Sequence, residues 1–110
     1  MTYKVIPSPV FVRELKRLSK KYRSLKDDVD QLGEQLASDA PIGTPIGKGC
    51  YKVRLAITSK GKGKSGGARV ITYVRIVKKV VVLLTMYDKS EKENISESER
   101  DHLIALAEML

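Results

Sequence analysis

A glycine-rich loop with three lysines lies between two stretches in which apolar residues alternate with polar ones. The loop contains no acidic residue, and most of its positions have little or no side chain. Glycine lets the backbone come close to a ligand, and fixed cations attract phosphate. The sequence therefore predicts a phosphate-binding loop. It reads Lys60-Gly61-Lys62-Gly63-Lys64-Ser65-Gly66-Gly67, with Lys60, Lys62 and Lys64 as candidate RNA contacts.

More cations stand in the stretches that flank this loop. Lys52 and Arg54 precede it, Arg69 follows it, and Lys89 comes after a later apolar run. Residues two apart on a strand share a face, so Lys52 and Arg54 point the same way. A hairpin through the loop would bring Arg69 beside them. We therefore expect a basic patch on one face of a small sheet.

Such a patch has the side chains needed to cleave RNA without a metal. Attack by the RNA's own 2′-hydroxyl builds negative charge on the phosphorane and on the leaving 5′ oxygen, and fixed cations stabilise both. Arginine matches phosphate geometry, and a lysine whose pKa is depressed by neighbouring cations can move a proton. A tyrosine can stack on a base or share in proton transfer, although Tyr73 fits a packing role better. The candidate catalytic residues are Lys52, Arg54, Arg69, Tyr87 and Lys89, with no general base assigned.

Other chemistries lack their motifs. The chain has no HExxH, CxxC, carboxylate cluster or GxSxG, so we expect no metal and no cofactor. His102 is the only histidine, and its place in the last helix predicts an exposed or amphipathic position. A nucleotide-binding P-loop would need glycine where Thr58 stands, and the GxxG at 63–66 lies between strands instead of helices.

The charge of the chain is +8 over 110 residues, and it is unevenly distributed. Segments 1–26 and 48–89 are strongly basic, whereas 27–47 and 90–110 are acidic. A polarised surface of this kind attracts a polyanion. The length predicts a single domain over 1–110. The lone Cys50 and the absence of an apolar leader or span predict a protein of the reducing cytoplasm with no membrane partner.

The periodicity predicts the elements that position these residues. A strand at 3–6 precedes a helix capped by Ser8, whose outer face is basic. A second helix starts at Ser24 with Asp27 in a variant capping box, and 40–49 is predicted to be a loop. Three strands follow, and Ser96 opens the last helix. The fold class is α+β, in the order β-α-α-β-β-β-α, with a helical hairpin on a mainly antiparallel four-stranded sheet. The basic residues of the first helix are Arg13, Lys16, Arg17 and Lys20.

Three segments resemble the RelE/HigB-type toxins of bacterial toxin-antitoxin systems. These are 51–55, then 59–71 with its KGKxKxGGxR run, then 83–91 with its Y-x-K-x-E ending. The order of elements agrees over nearly the whole chain, and the run and its ending are typical of the HigB-like branch. One position departs from the pattern, because Ile95 stands where some RelE toxins have a tyrosine before the final helix.

The resemblance implies a RelE-like fold and an mRNA interferase, which enters the ribosomal A site and cuts the codon there through the 2′-hydroxyl. It implies a cognate antitoxin protein, the ribosome and mRNA as partners, and operator DNA only through the antitoxin complex. The functional cations of the family would fall on Lys52, Arg54, Arg69 and Lys89, and Tyr87 would substitute for the missing tyrosine. The basic face of the first helix would contact ribosomal RNA. Two alternatives remain at this point: a gyrase-inhibiting toxin of the ParE type, and a non-catalytic RNA-binding module.

Overall fold

The structure is a computed structural model that describes residues 2–61, 63 and 66–110. Its order of elements confirms the predicted α+β class and adds one strand. The elements are β1 (Lys4–Pro7), α1 (Pro9–Ser19), α2 (Leu25–Asp39), β2 (Thr44–Gly47), β3 (Cys50–Leu55), β4 (Ala68–Arg75), β5 (Val80–Asp88) and α3 (Glu97–Ala107), with a 3-10 turn at Thr58–Lys60 between β3 and β4.

The strands form one mixed sheet in the order β1-β5-β4-β3-β2. Only β1 and β5 are parallel, and the three other pairings are antiparallel. The sheet therefore has five strands instead of the predicted four. The additional strand, β2, lies inside the segment that we predicted to be a loop, and it pairs with residues 50–52. Its proline is compatible with strand structure because β2 is at the edge of the sheet.

Helices cover both faces of the sheet. Residues Val81 and Leu83 of β5 pack in the cluster that includes α1 and α2, whereas Val82 and Leu84 pack in the cluster that includes α3. This arrangement explains the continuous apolar run of β5, as the sequence predicted. No helix in the described part of the chain is both long enough and apolar enough to cross a bilayer.

Local hydrogen bonds fix the starts of the helices. The Ser8 hydroxyl accepts from the Phe11 N–H and donates to the Leu84 carbonyl, which ties α1 to β5. Ser96 accepts from the Glu99 N–H at 3.0 Å, and both caps were predicted. The capping box predicted for α2 is wrong, since Ser24 makes no side-chain cap bond.

Candidate active site

Three of the predicted catalytic residues form a row across the three central strands of the sheet, near one end of each strand. Arg54 of β3 pairs with Arg69 of β4, and Arg69 pairs with Tyr87 of β5. Residues that are directly opposite in neighbouring strands project to the same face of a sheet. That face is the one covered by α3, because Tyr87 packs in the same apolar cluster as Leu103. The structure thus brings together residues that are up to 33 positions apart in the chain.

Lys52 and Lys89 lie on opposite sides of this row, each displaced by two residues along its strand direction. Lys52 is two residues before Arg54 on the same strand, and its ammonium donates to the Asn94 side-chain oxygen at 2.8 Å. Lys89 follows the end of β5, two residues after Tyr87, and its N–H donates to the Gly67 carbonyl at 3.2 Å. A side chain at Gly67 would overlap the Leu55 carbonyl, so only glycine fits this close approach.

The five residues differ strongly in exposure. Arg54 and Lys89 are exposed, and Lys52 is half-buried. Arg69 and Tyr87 are only 4% and 5% exposed. A phosphodiester in solvent can therefore reach Lys52, Arg54 and Lys89 directly. Arg69 is buried, so its positive charge acts on the phosphodiester without direct contact.

The buried Tyr87 is held as a neutral phenol. Burial raises the pKa of Tyr87, and the positive charge of Arg69 opposes this rise only in part. Its hydroxyl donates to the Glu93 carbonyl at 3.3 Å. At neutral pH the phenol can donate a proton but cannot accept one. Tyr73, as predicted, has a packing role, and its hydroxyl donates to the Glu108 carboxylate.

A cavity of about 260 Å³ adjoins the other side of Tyr87. Its walls include three carboxylates, and its two cations are already paired: Arg17 with Glu91, and Lys92 with Glu99. A phosphate would meet net negative charge there. The solvent-facing anion site is therefore on the side of Arg54 and Lys89.

The protein-family comparison decides the class of the chain. Residues 4–110 match the model of the family described as the RelE toxin of the RelE/RelB toxin-antitoxin system. The chain belongs to the RelE toxin family. This match confirms the predicted superfamily, and its description does not extend to the HigB-like branch.

Solved RelE structures share the fold at low sequence identity. A mutant of the E. coli toxin RelE in the free state aligns with a TM-score of 0.64 at 16% identity, covering 96% of this chain and 97% of that one. The RelBE2 toxin-antitoxin complex from Mycobacterium tuberculosis aligns at 0.60 and 19% identity, covering 80% and 99%. The isolated E. coli RelE toxin aligns at 0.56 and 21%, covering 98% and 99%.

Of the predicted RNA contacts in the glycine-rich loop, only Lys60 is described. Its ammonium lies 3.0 Å from a carboxylate oxygen of Asp88, and 15% of its side chain is exposed. Lys62 and Lys64 lie outside the described residues. The Lys60 ammonium is therefore already paired with the Asp88 carboxylate inside the protein.

The predicted basic face of α1 is present on this RelE fold. Its four cations are all exposed: Arg13, Lys16, Arg17 and Lys20. Arg17 is bound to Glu14 at 3.0 Å and to Glu91 at 3.3 Å, and hydrogen bonds to these two carboxylates raise its pKa. The other three have no such ion pair among the described contacts and are better placed to meet an external phosphate.

Sequence reasoning missed the residues that line the site from the segment before α3. The Asn94 side chain accepts a hydrogen bond from Lys52, and no local sequence pattern predicts that contact. Ile95 packs in the apolar cluster between the sheet and α3. The position that carries a tyrosine in some RelE toxins is therefore an apolar packing position in this chain.

Proposed function

We propose that this RelE-family chain is a metal-independent endoribonuclease that cleaves mRNA in the ribosomal A site. The observation that carries the proposal is the strand register, which places Arg54 opposite Arg69, with the accessible Lys52 and Lys89 within two positions of this row on the flanking strands. Positive charge from four side chains in one region of the sheet provides what the transition state of phosphodiester cleavage requires.

In the cleavage step, negative charge develops on the phosphorane oxygens and on the leaving 5′ oxygen. The 2′-hydroxyl oxygen attacks the adjacent phosphorus, the bond from phosphorus to the 5′ oxygen breaks, and the products are a 2′,3′-cyclic phosphate and a 5′-hydroxyl. One proton leaves the 2′-hydroxyl and one reaches the 5′ oxygen. Lys52, Arg54 and Lys89 stabilise the charge on the phosphorane oxygens. A part for Tyr87 in stacking or proton transfer remains a proposal. Because Tyr87 is buried, it is better placed to pack beneath the exposed cations than to contact RNA.

The ribosome is proposed as the setting because the family resemblance implies it and the exposed cations of α1 suit ribosomal RNA. Contacts between lysine or arginine and phosphate position a protein without reading sequence. Arg13 and Lys16 on α1 and Lys20 at its C-cap are exposed and available for three such contacts. We also propose a cognate antitoxin that inhibits the toxin, with operator DNA bound only through their complex.

Expression in a bacterial host with mapping of transcript ends tests this function. We expect growth arrest and new mRNA 5′ ends within translated codons. Expression of the double variant Arg54→Ala/Lys89→Ala should not arrest growth. Both residues are exposed, so their replacement leaves the core intact. DNA damage with intact mRNA would instead indicate gyrase inhibition, and RNA binding with no new ends would indicate a binding module.

A further inference from the structure

A buried carboxylate lies directly behind the candidate active site. Asp88 is the last residue of β5, between Tyr87 and Lys89, and it is fully buried. Its neighbours on the strand face α3, so its own side chain faces α1 and α2. There it accepts hydrogen bonds from the Tyr22 hydroxyl, the Lys60 ammonium, and the N–H and hydroxyl of Ser90.

Asp88 forms an ion pair with Lys60 at 3.0 Å, and the more exposed Lys21 ammonium lies 4.0 Å from its other carboxylate oxygen. Burial alone would raise the pKa of Asp88, but the hydrogen bonds from Tyr22, Ser90 and Lys60 outweigh it and hold that pKa far below its usual range. Burial would lower the pKa of Lys60, and the bond to Asp88 raises it instead. Lys60 and Lys21 also lie over the Tyr22 ring, at 5.4 and 5.3 Å from its centre.

The pair is part of a wider anchor for the 3-10 turn that carries Lys60. Thr58 donates its N–H and its hydroxyl to the Asp28 carboxylate, at 3.0 and 2.6 Å. The Ser59 N–H donates to the Ser24 hydroxyl at 2.8 Å. All three residues of the turn are therefore bonded to side chains elsewhere in the fold.

The main chain of Asp88 also fixes the segment that carries Lys89. Its carbonyl accepts from the N–H groups of Glu91 and Lys92, at 2.9 and 3.1 Å. The turn after β5 is thus held by both the side chain and the carbonyl of one residue. Lys89 is the first residue of this turn and is joined to Asp88 by one peptide bond.

We propose that Lys60, Asp88 and Tyr22 form a positioning network for the candidate active site, in which Lys60 is the internal counterion of Asp88 instead of an RNA contact. The proposal rests on the proposed function. It predicts that loss of Lys60 shifts Lys89 relative to Arg54 and slows cleavage, while the attraction for RNA is little changed. A misplacement of about 1 Å is enough to cost up to about a hundredfold in rate.

The first test measures the pair without reference to RNA. Urea unfolding of the purified protein is compared for Lys60→Met, Asp88→Asn and the double variant. We expect Lys60→Met to destabilise the wild-type protein and to have little effect once Asp88→Asn is present, because the partner is then uncharged. An equal loss in both backgrounds would overturn the proposed pair.

The second test separates positioning from RNA contact. With mRNA bound to purified ribosomes as substrate, we expect Lys60→Met to lower kcat by about tenfold or more, with KM within about twofold of wild type. In a Lys89→Ala background the same substitution should have almost no further effect on kcat. Lys78→Met removes an exposed lysine from the turn between β4 and β5 and serves as the matched control, with both constants unchanged.

A raised KM with kcat unchanged would show that Lys60 contacts RNA, and it would overturn the positioning role. If the wild-type protein cleaves nothing, the proposed function fails and the positioning role fails with it. The unfolding experiment still reports on the ion pair in that case. Failure of the positioning role alone, with cleavage by the wild-type protein intact, is therefore distinguishable from failure of the proposed function.

Discussion

Arg54 and Arg69 are directly opposite each other on β3 and β4. Like charges in this relationship usually destabilise a sheet, by roughly 0.2–1 kcal/mol. A departure of this kind from a local stability rule is expected at a functional site, where a ligand offsets it. The pair concentrates positive charge at the point where we propose that the scissile phosphate binds.

Arg54→Gln should therefore make the protein more stable and less active. We expect the free energy of unfolding to rise by about 0.5 kcal/mol, because the repulsion with Arg69 is removed. Cleavage should fall by about a hundredfold, the usual cost of losing one group that stabilises the transition-state charge. Urea unfolding and a ribosomal cleavage assay measure the two effects. As a control, Lys4→Gln removes the same charge from β1 at the far edge of the sheet, and it should change neither the free energy of unfolding nor the cleavage rate. A destabilised Arg54→Gln protein would contradict the proposed repulsion between Arg54 and Arg69.

An RNA analogue that cannot be cleaved should stabilise the protein. A short oligonucleotide with 2′-O-methyl groups binds the folded state only, so at a hundredfold excess over Kd it adds about 2.7 kcal/mol. For a domain of this size the Tm should rise by several degrees, and the rise should shrink as salt is added. Arg54→Gln/Lys89→Gln should lose most of the rise. An unchanged rise in that variant would place the RNA on another surface.

Tyr87→Phe should preserve the pH dependence of cleavage. Burial raises the pKa of Tyr87, so the phenol stays protonated between pH 6 and 9 and titrates outside that range. Its hydroxyl is directed to Glu93 at 3.3 Å, and we expect the rate to fall by no more than about threefold. Rates measured across this pH range check both statements. A loss of a hundredfold or more would assign the hydroxyl a direct part in proton transfer.

Asp88 should make the fold sensitive to acid. Its pKa is lower in the folded protein than the value of about 3.9 expected when unfolded, so its stabilisation is complete above about pH 4 and is lost as the pH falls below that value. Unfolding free energies measured from pH 7 to pH 3 should decline less steeply in Asp88→Asn than in wild type. Asp30→Asn, at an exposed position of α2, is the control and should keep the wild-type slope. A wild-type slope in Asp88→Asn would show that Asp88 is not the group responsible.

Local patterns were sufficient to predict much of the fold. Ser8 before Pro9, and Ser96 three residues before Glu99, mark helix starts through contacts that lie within one turn. Alternation is also local, so it placed Lys52 and Arg54 on one face and made Arg69 their neighbour once a hairpin was assumed.

Contacts between distant segments could not be predicted in this way. Thr44–Gly47 has the proline and glycine content of a loop, and only its pairing with residues 50–52 makes it a strand. The partner of Lys60 is 28 positions away at Asp88, and charge pattern alone made Lys60 equivalent to the other lysines of its loop. The burial of Arg69 likewise depends on the packing of the sheet in three dimensions.

The most direct test of the proposed nuclease is cleavage of a defined mRNA on purified ribosomes by the wild-type protein and by Arg54→Ala/Lys89→Ala. One mRNA is unmodified, and the other carries a single 2′-deoxy nucleotide at the attacked position of the A-site codon. We predict that the wild-type protein cuts the first mRNA to a 2′,3′-cyclic phosphate and a 5′-hydroxyl and leaves the second intact, and that the double variant cuts neither while remaining folded. Equal cleavage by the double variant, or cleavage of the 2′-deoxy mRNA at the modified position, would contradict the proposal that these cations promote attack by the 2′-hydroxyl.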